Sequence, residues 1–231
     1  TRVAINGFGR IGRTVARILS NHQELQLVAV NDLAPADTLL HLLKYDTVHG
    51  RFSGEIIQND DIFINGSLIK FCHEKSPENL PWTELEVDIV LECTGKFKTR
   101  ELASLHLKAG AKRVIISAPS PDETIKMIVM GINHDTISAD DTILSNASCT
   151  TNNAAPMIKV LNDLCDIESC YITTVHSFTG DQKLQDAPHS DWRRARAATQ
   201  SIVPTTTGAA KALTRIFPKL GDAIGGCGIR V

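Results

Sequence analysis

The stretch Ala4-Ile5-Asn6-Gly7-Phe8-Gly9-Arg10-Ile11-Gly12 decides the fold. It is a G-x-G-x-x-G pattern between a short apolar run and a segment with helical apolar spacing at residues 11–19. In such a pattern Gly7 permits a tight turn, Gly9 lets the backbone approach a pyrophosphate, and Gly12 lets the helix pack on the strand. The pattern predicts a strand, turn and helix that bind a dinucleotide.

A second apolar run, residues 27–30, supports that prediction because it ends on Asn31-Asp32. Asp32 stands 20 residues beyond Gly12, where a dinucleotide-binding unit places the carboxylate that holds the adenosine ribose. The alternative is a glycine-rich turn that binds nothing. Strand, helix, second strand and acid together favour nucleotide binding.

Another informative segment is Ser145-Asn146-Ala147-Ser148-Cys149-Thr150-Thr151. A cysteine at a helix start lies among unpaired backbone N–H groups and the positive end of the helix dipole, which favour thiolate over thiol. A thiolate attacks carbonyl carbon, although most cysteines are small buried hydrophobes. The predicted helix has one apolar face: Ala154, Met157, Ile158, Leu161 and Leu164.

Composition excludes several classes. With 231 residues and a net charge of −2, the chain has no basic excess to attract nucleic acid, and no apolar run approaches a membrane span. None of the six cysteines forms a C-x-x-C pair, which argues against a zinc site and a disulfide framework. We expect a cytoplasmic protein with no metal, no nucleic-acid partner and no membrane association.

Up to about residue 146, strand and helix alternate. The expected elements are a helix at 38–43, a hairpin at 61–71 turning on Asn65-Gly66, a helix at 100–109 stopped by Gly110, and strands at 88–93 and 113–117. Ligands bind beyond the carboxyl ends of parallel strands. The segments that should therefore face the cofactor are Thr94-Gly95 and Ser117-Ala118.

From Cys149 the pattern changes. A helix that Pro156 should kink is followed by a strand at 169–178 and a long polar segment at 179–201. The run Thr205-Thr206-Thr207-Gly208 then opens a further helix, which makes a ready site for phosphate.

The chain resembles the phosphorylating glyceraldehyde-3-phosphate dehydrogenases in five motifs spread through its length. These are INGFGRIGR at the start, KYDTVHGRF at 44–52, ILSNASCTTN around Cys149, TTVHSFTGDQ around His176, and WRRARAATQSIVPTTTGAAKA at 192–212. The resemblance implies an α/β fold: a Rossmann-type doubly wound parallel sheet at 1–148, then an α+β catalytic domain with an antiparallel sheet at 149–231. It also implies that this catalytic domain is incomplete.

The resemblance assigns roles residue by residue. Cys149 is the nucleophile and His176 its acid/base partner. NAD is held by Asn6, Gly7, Phe8, Gly9, Arg10, Ile11, Gly12, Asp32, Leu33, Thr94, Gly95, Ser117 and Ala118. Substrate and attacking phosphates are held by Ser148, Thr150, Thr179, Arg194, Thr207, Gly208 and Arg230.

The implied reaction is the oxidation of glyceraldehyde 3-phosphate with NAD and inorganic phosphate, through a thioester on Cys149, to 1,3-bisphosphoglycerate. Asp32 would repel a 2′-phosphate, so NAD is expected rather than NADP. The family also implies a homotetramer. Two alternatives stay open: an erythrose-4-phosphate dehydrogenase, and an inactive nucleotide-binding fragment.

Overall fold

The computed structural model describes residues 1–231 apart from the side chain of Asp222. The chain divides into two compact units: unit 1 comprises residues 1–127 and 136–147, and unit 2 comprises residues 128–135 and 148–231. No helix among the described residues is both long and apolar enough to cross a membrane.

Unit 1 is built on a seven-stranded sheet whose neighbouring strands all run parallel. Its strands are β1 (Arg2–Asn6), β2 (Gln26–Asn31), β8 (Lys70–Cys72), β9 (Ile89–Glu92), β10 (Arg113–Ile116), β11 (Lys126–Met127) and β12 (Ile143–Ser145). The order is β11-β12-β10-β9-β1-β2-β8, so the chain leaves β1 for β2 on one side and returns to β9 on the other. In such sheets this reversal point opens a ligand crevice beyond the carboxyl ends of the strands.

Both faces of this sheet are covered. Side chains alternate along a strand, and β1 shows the result: Val3 and Ile5 belong to one buried cluster with Phe8, and Ala4 belongs to another with Trp82. A strand covered on both faces reads as a continuous apolar run, which is why β1 and β2 could be recognised in the sequence.

Helices α1 (Arg10–Leu19), α2 (Ala36–Lys44) and α3 (Arg100–Lys108) follow β1, β2 and β9. The three helices were predicted within two residues of their ends. Gly110, with φ of +109°, follows α3 as expected for a helix stop.

The predicted hairpin at 61–71 was too long. The antiparallel pair β6 (Ile62–Ile64) and β7 (Ser67–Leu68) turns on Asn65-Gly66, and β5 (Ile56–Gln58) pairs with β6. Residues 70–72 instead form β8 of the parallel sheet, where Phe71 meets Phe8 edge to face with ring centroids 5.9 Å apart. A short antiparallel pair, β3 (Tyr45–Asp46) and β4 (Gly50–Arg51), completes unit 1.

Unit 2 contains two helices and a three-stranded sheet. They are α4 (Cys149–Cys165), β13 (Cys170–His176), β14 (Val203–Thr205), α5 (Ala209–Ile216) and β15 (Ile224–Arg230). The central strand β15 runs antiparallel to β14 and parallel to β13. The predicted fold class, a Rossmann-type parallel sheet followed by an α+β part with antiparallel strand pairing, is confirmed, although β13 joins that second sheet in parallel.

The predicted apolar face of α4 is only partly buried. Ala154 and Ile158 are buried, whereas Met157, Leu161 and Leu164 are exposed. The helix continues through Pro156, the residue at which we expected a kink, as far as Cys165.

Candidate active site

Unit 1 carries a cavity of about 450 Å³ at the reversal point of its sheet. The ends of three neighbouring strands meet there: Asn6 ends β1, Asn31 ends β2 and is followed by Asp32, and Cys93-Thr94 follows β9. Lys75, Lys96 and Phe97 complete one side. The cavity lies where a dinucleotide binds in open parallel sheets.

The glycines differ in what surrounds them. A Cβ on Gly7 would stand 2.6 Å from the Thr94 nitrogen, and one on Gly12 would clash with the Gly7 carbonyl oxygen. A Cβ on Gly9 would meet nothing within 4 Å. Gly7 and Gly12 are therefore required by packing, while Gly9 leaves open space at the start of α1, a helix without a side-chain cap. That space fits a pyrophosphate on free N–H groups.

Asp32 is held in place by the glycine turn that it faces. Its Oδ2 accepts from the Phe8 N–H at 2.7 Å, and its Oδ1 accepts from the Ala34 N–H at 3.0 Å. Each carboxylate oxygen has a second acceptor position, so the pair can also receive two ribose hydroxyls. Leu33, beside it in the cavity wall, is 58% exposed and offers no cation to a 2′-phosphate.

The cavity brings together some predicted cofactor residues and leaves others outside. Those in its wall are Asn6, Gly7, Gly9, Asp32, Leu33 and Thr94. Those not in its wall are Phe8, Arg10, Ile11, Gly12, Gly95, Ser117 and Ala118. The wall also contains residues that were not predicted as cofactor ligands, although several of them adjoin predicted positions: Asn31, Glu74, Lys75, Cys93, Lys96 and Phe97.

Two of the residues outside the cavity wall make other contacts. Phe8 is fully buried and contributes its N–H to Asp32. The guanidinium of Arg10 forms an ion pair with Asp46 at 2.9 Å.

In unit 2, Cys149 and His176 lie together. The Sγ of Cys149 is 3.2 Å from Nε2 of His176, within hydrogen-bonding reach of a sulfur. The thiol is exposed, at the first position of α4, and the imidazole stands at the last position of β13. Both residues line a cavity of about 440 Å³ together with Thr150, Asn153 and Thr174. A nucleophile and a general base are in contact at an accessible helix start.

The turn before α4 is tightly determined. Ala147 is in the left-handed region with φ of +55°, which costs a residue with a Cβ about 1–2 kcal/mol. Ser148 then caps the helix, since its Oγ accepts from the Thr151 N–H at 3.0 Å. The predicted phosphate ligand Ser148 is thus also the N-cap that orients Cys149.

Arg230 occupies the other side of the His176 ring. Its NH1 lies 2.9 Å from Nδ1 of His176, and the same nitrogen contacts the Ser177 carbonyl at 3.2 Å. His176 Nδ1 is also 2.7 Å from that carbonyl. Because Nδ1 can accept from Arg230 or donate to Ser177, but not both at once, the guanidinium and the carbonyl oxygen favour opposite tautomers of the imidazole.

A second guanidinium lies near Arg230. Burial and the positive charge of Arg194 both lower the pKa of Arg230. Arg194 itself donates to Thr205 Oγ1 at 2.8 and 3.1 Å and to Asp181 at 2.6 Å. Burial would raise the pKa of Asp181, but the hydrogen bonds and charges of Arg194 and His189 outweigh it and lower that pKa. Arg194 also lies 4.0 Å from Asp191 Oδ2, so its charge is shared between two carboxylates. Arg230 forms no ion pair with a carboxylate among the described residues, so its charge remains available for an anion.

The remaining predicted phosphate residues are spread over unit 2. Thr207 and Gly208 stand at the start of α5, where a Cβ on Gly208 would meet nothing within 4 Å. The Thr207 Oγ1 accepts from the Ala209 N–H at 3.2 Å, but Thr207 stands one residue before the N-cap Gly208, and α5 has no side-chain cap. Thr179 is exposed, and its N–H donates to Gln182 at 3.3 Å.

Burial affects two of the other cysteines, Cys72 and Cys93. All six are free thiols, and burial raises the pKa of Cys93 to about 11 despite a hydrogen bond from Ser117. Burial also raises the pKa of Cys72. Among the described residues, no three or more His, Cys, Asp or Glu side chains come together as metal ligands would.

Comparison with known proteins agrees with this geometry. Residues 1–100 match the family model "Glyceraldehyde 3-phosphate dehydrogenase, NAD binding domain", and residues 148–231 match "Glyceraldehyde 3-phosphate dehydrogenase, C-terminal domain". The first of these supports NAD as the cofactor.

Curated relatives carry the same name. A glyceraldehyde-3-phosphate dehydrogenase of Mycoplasma pneumoniae is 57% identical over 92% of this chain, and the match covers 63% of that relative. One of Geobacillus stearothermophilus is 52% identical over 100% of this chain and 69% of the relative, and glyceraldehyde-3-phosphate dehydrogenase 2 of Bacillus subtilis is 50% identical over 100% and 68%. The chain therefore spans about two thirds of the length of these relatives, and it belongs to the glyceraldehyde-3-phosphate dehydrogenase family.

Proposed function

We propose that this chain carries the cofactor site and the catalytic pair of an NAD-dependent dehydrogenase. It oxidises glyceraldehyde 3-phosphate in the presence of inorganic phosphate and yields 1,3-bisphosphoglycerate. Residues 1–148 form the NAD-binding domain, and residues 149–231 form the N-terminal portion of the catalytic domain. The observation that carries the proposal is the 3.2 Å contact between Cys149 Sγ and His176 Nε2 at the start of α4.

The chemistry begins at sulfur. Cys149 adds to the aldehyde carbon, and the new oxygen is stabilised by the Cys149 N–H at the helix start together with His176. His176 Nε2 is placed to take the hydroxyl proton as the carbonyl of the thioester forms. NAD, when bound, supplies the hydride acceptor for this oxidation.

Phosphate completes the reaction by attacking the thioester carbon and releasing Cys149. The substrate's own phosphate is assigned to Arg230 and Thr179, with Arg194 nearby. The attacking phosphate is assigned to Ser148, Thr150, Thr207 and Gly208, since free N–H groups at helix starts bind anions. Support for this division comes from the paired guanidinium groups of Arg194 and Arg230 and from the open N-terminus of α5.

Further properties belong to the same proposal. The protein is cytoplasmic, where its free thiols stay reduced, and it acts as a homotetramer when complete. Its partners are small molecules, with neither a nucleic acid nor a membrane among them.

The test is the phosphate dependence of cofactor reduction. With glyceraldehyde 3-phosphate and NAD, the reduced cofactor should accumulate continuously only when inorganic phosphate is present. Without phosphate we expect a single turnover at most, because the thioester stays on Cys149. Faster turnover with erythrose 4-phosphate would make that sugar the substrate, and no cofactor reduction with either aldehyde would contradict the proposal.

A further inference from the structure

Unit 1 contains a fully buried carboxyl group that lies outside the cavity wall. Glu92, at the end of β9, is 0% exposed, and no lysine or arginine among the described residues forms an ion pair with it. A buried carboxyl group is costly unless all its acceptor positions are satisfied. What satisfies them here is a cluster of side chains that reaches the cofactor cavity.

Each oxygen of Glu92 accepts from one edge of the cavity. Oε2 accepts from Asn6 Nδ2 at 2.6 Å. Oε1 accepts from the Thr94 N–H at 2.8 Å and from the Thr94 hydroxyl. Asn6 and Thr94 both line the cavity, so one carboxylate ties together the ends of β1 and β9 on either side of it.

A histidine contacts the Glu92 carboxylate, and a tryptophan contacts that histidine in turn. Trp82 Nε1 can only donate, and it lies 3.0 Å from Nδ1 of His106, which must therefore accept. The proton of a neutral His106 is then on Nε2, which lies 3.1 Å from Glu92 Oε2 and donates to it. The side chains of Trp82, His106 and Glu92 are all 0% exposed, so these bonds are shielded from bulk solvent.

The position of Thr94 matters to the glycine turn. A Cβ on Gly7 would come within 2.6 Å of the Thr94 nitrogen, so turn and strand end are in close contact. The chain of bonds continues to β2, since Asn31 donates to Asn6 Oδ1 at 2.7 Å. The three strand ends that form the cavity are thus linked through one buried carboxylate.

We propose that Glu92 is a positioning residue for the cofactor, fixed by the Trp82–His106 pair and acting through Asn6 and Thr94. The inference rests on the proposed cofactor site. It assigns to Glu92, His106 and Trp82 the task of holding the wall on the β1/β9 side, away from the adenosine ribose at Asp32.

The test is Glu92→Gln, with the affinities for NAD and for AMP measured in the whole chain. An amide has one acceptor oxygen and one NH₂ group, which can only donate, so in either orientation the NH₂ group faces another donor, at Thr94 or at Asn6 and His106. We expect NAD to bind about tenfold more weakly, the effect of one lost hydrogen bond to a charged acceptor. AMP lacks the nicotinamide half of NAD, so its expected contacts are with Asp32 and the glycine turn, and it should lose less than about twofold.

A rescue separates positioning from general damage. Trp82→Phe removes the donor on His106 Nδ1, so in the double variant the ring can move its proton to Nδ1 and offer Nε2 as an acceptor to the introduced amide. The double variant should therefore bind NAD more tightly than Glu92→Gln alone. If Glu92→Gln and Trp82→Phe each only damaged the structure, the double variant would bind NAD more weakly than either single variant. Val90→Ala, a buried truncation on the same strand, is the matched control and should leave the affinity of the folded protein for NAD unchanged.

The outcomes are distinct. If the wild-type chain does not bind NAD, the cofactor site itself is wrong. Two results would overturn the positioning role in a wild-type chain that binds NAD. In the first, Glu92→Gln binds NAD as tightly as the wild type does. In the second, Glu92→Gln loses affinity for NAD and for AMP by the same factor. Should Glu92→Gln not fold, NMR of nitrogen-labelled histidine in the wild type decides: a proton on His106 Nε2 alone supports the proposal, and a proton on Nδ1 contradicts it.

Discussion

His176 is in contact with Arg230 on the side of its ring opposite Cys149. The guanidinium NH1 lies 2.9 Å from His176 Nδ1, while Nε2 of the same ring lies 3.2 Å from the thiol sulfur. When Nδ1 accepts from Arg230, the ring proton is on Nε2 and points at sulfur. An anion that draws Arg230 away frees Nδ1 to donate to the Ser177 carbonyl, 2.7 Å away. The catalytic pair and the proposed phosphate ligand are therefore directly connected.

Replacing His176 with Asn should slow the alkylation of Cys149 by iodoacetamide near neutral pH. The imidazole that stabilises the thiolate is lost, and the thiolate is the reacting form. The rate is measured at each cysteine by mass spectrometry. Cys165, exposed at the other end of α4, is an internal reference whose rate should not change. Equal rates at Cys149 in both proteins across the pH range would show that the helix start alone activates the thiol.

Replacing Arg230 with Ala should weaken a phosphorylated substrate selectively. A hydrogen bond to a charged group contributes about 1.5–3 kcal/mol, so kcat/KM for glyceraldehyde 3-phosphate should fall roughly ten- to hundredfold. Glyceraldehyde, which lacks the phosphate, should lose much less. This comparison is made in the full-length protein. An equal loss for both aldehydes would mean that Arg230 acts on His176 rather than on the substrate's phosphate.

Asp32→Gly should lower the preference for NAD over NADP. Ribose hydrogen bonds are lost, each on the order of 1 kcal/mol or more for a charged acceptor, and the charge that repels a 2′-phosphate disappears. Full reversal is not expected, because Leu33 supplies no cation. The ratio of kcat/KM for the two cofactors is the measurement.

A second variant separates charge from turn geometry. Asp32→Asn keeps an acceptor for the Phe8 N–H, which bonds Asp32 at 2.7 Å, and it should also lower the ratio. If neither variant lowers it, Asp32 is not the ribose ligand.

The turn after α2 should give unit 1 a pH-dependent contribution to its stability. The His49 N–H is the main cause that lowers the pKa of Asp46 to about 2, with further bonds from Val48 and Arg10 outweighing the effect of burial. This value lies below the ordinary 3.8, so the contribution is complete above about 3.8 and is lost as the pH falls through about 2. Asp46→Asn should therefore be less stable than wild type near neutral pH.

The measurement is the urea concentration at the midpoint of unfolding, for the wild type and for Asp46→Asn. The difference between these two midpoints should become smaller as the pH falls below about 4. Asp60→Asn, at an exposed position, should show no such gap at any pH. A gap for Asp46→Asn that stayed constant on acidification would contradict this account of the bonds to Asp46, of which the His49 N–H is the main one.

The parts of the fold recoverable from sequence are those with local signals. The β1–α1–β2 unit combines continuous apolar strands, a glycine turn and a helical face within 31 residues. Strand β15 had no such signal, because Ile224–Arg230 contains three glycines, which strands usually avoid. Its glycines reflect close packing: a Cβ on Gly225 would lie 2.9 Å from the Tyr171 ring.

Some residues of the candidate site could likewise be found from the sequence, and others could not. Asp32 and Cys149 were found through fixed spacing and a helix start, and the role of His176 came from family resemblance. The Glu92 cluster could not be found, since Asn6 and Glu92 are 86 positions apart and each is an ordinary strand residue by pattern. Only the register of β1 on β9, which pairs these two residues, brings them together.

The central claim, a covalent reaction at Cys149, is tested most directly by trapping the acyl group. The protein is mixed with glyceraldehyde 3-phosphate and NAD without inorganic phosphate and is digested at low pH. The masses of its cysteine-containing peptides are then measured by mass spectrometry. We predict a thioester on the peptide containing Cys149, absent from Cys149→Ser, unchanged in Cys165→Ser, and removed when phosphate is added. Cofactor reduction without any adduct on Cys149, or undiminished in Cys149→Ser, would contradict the account.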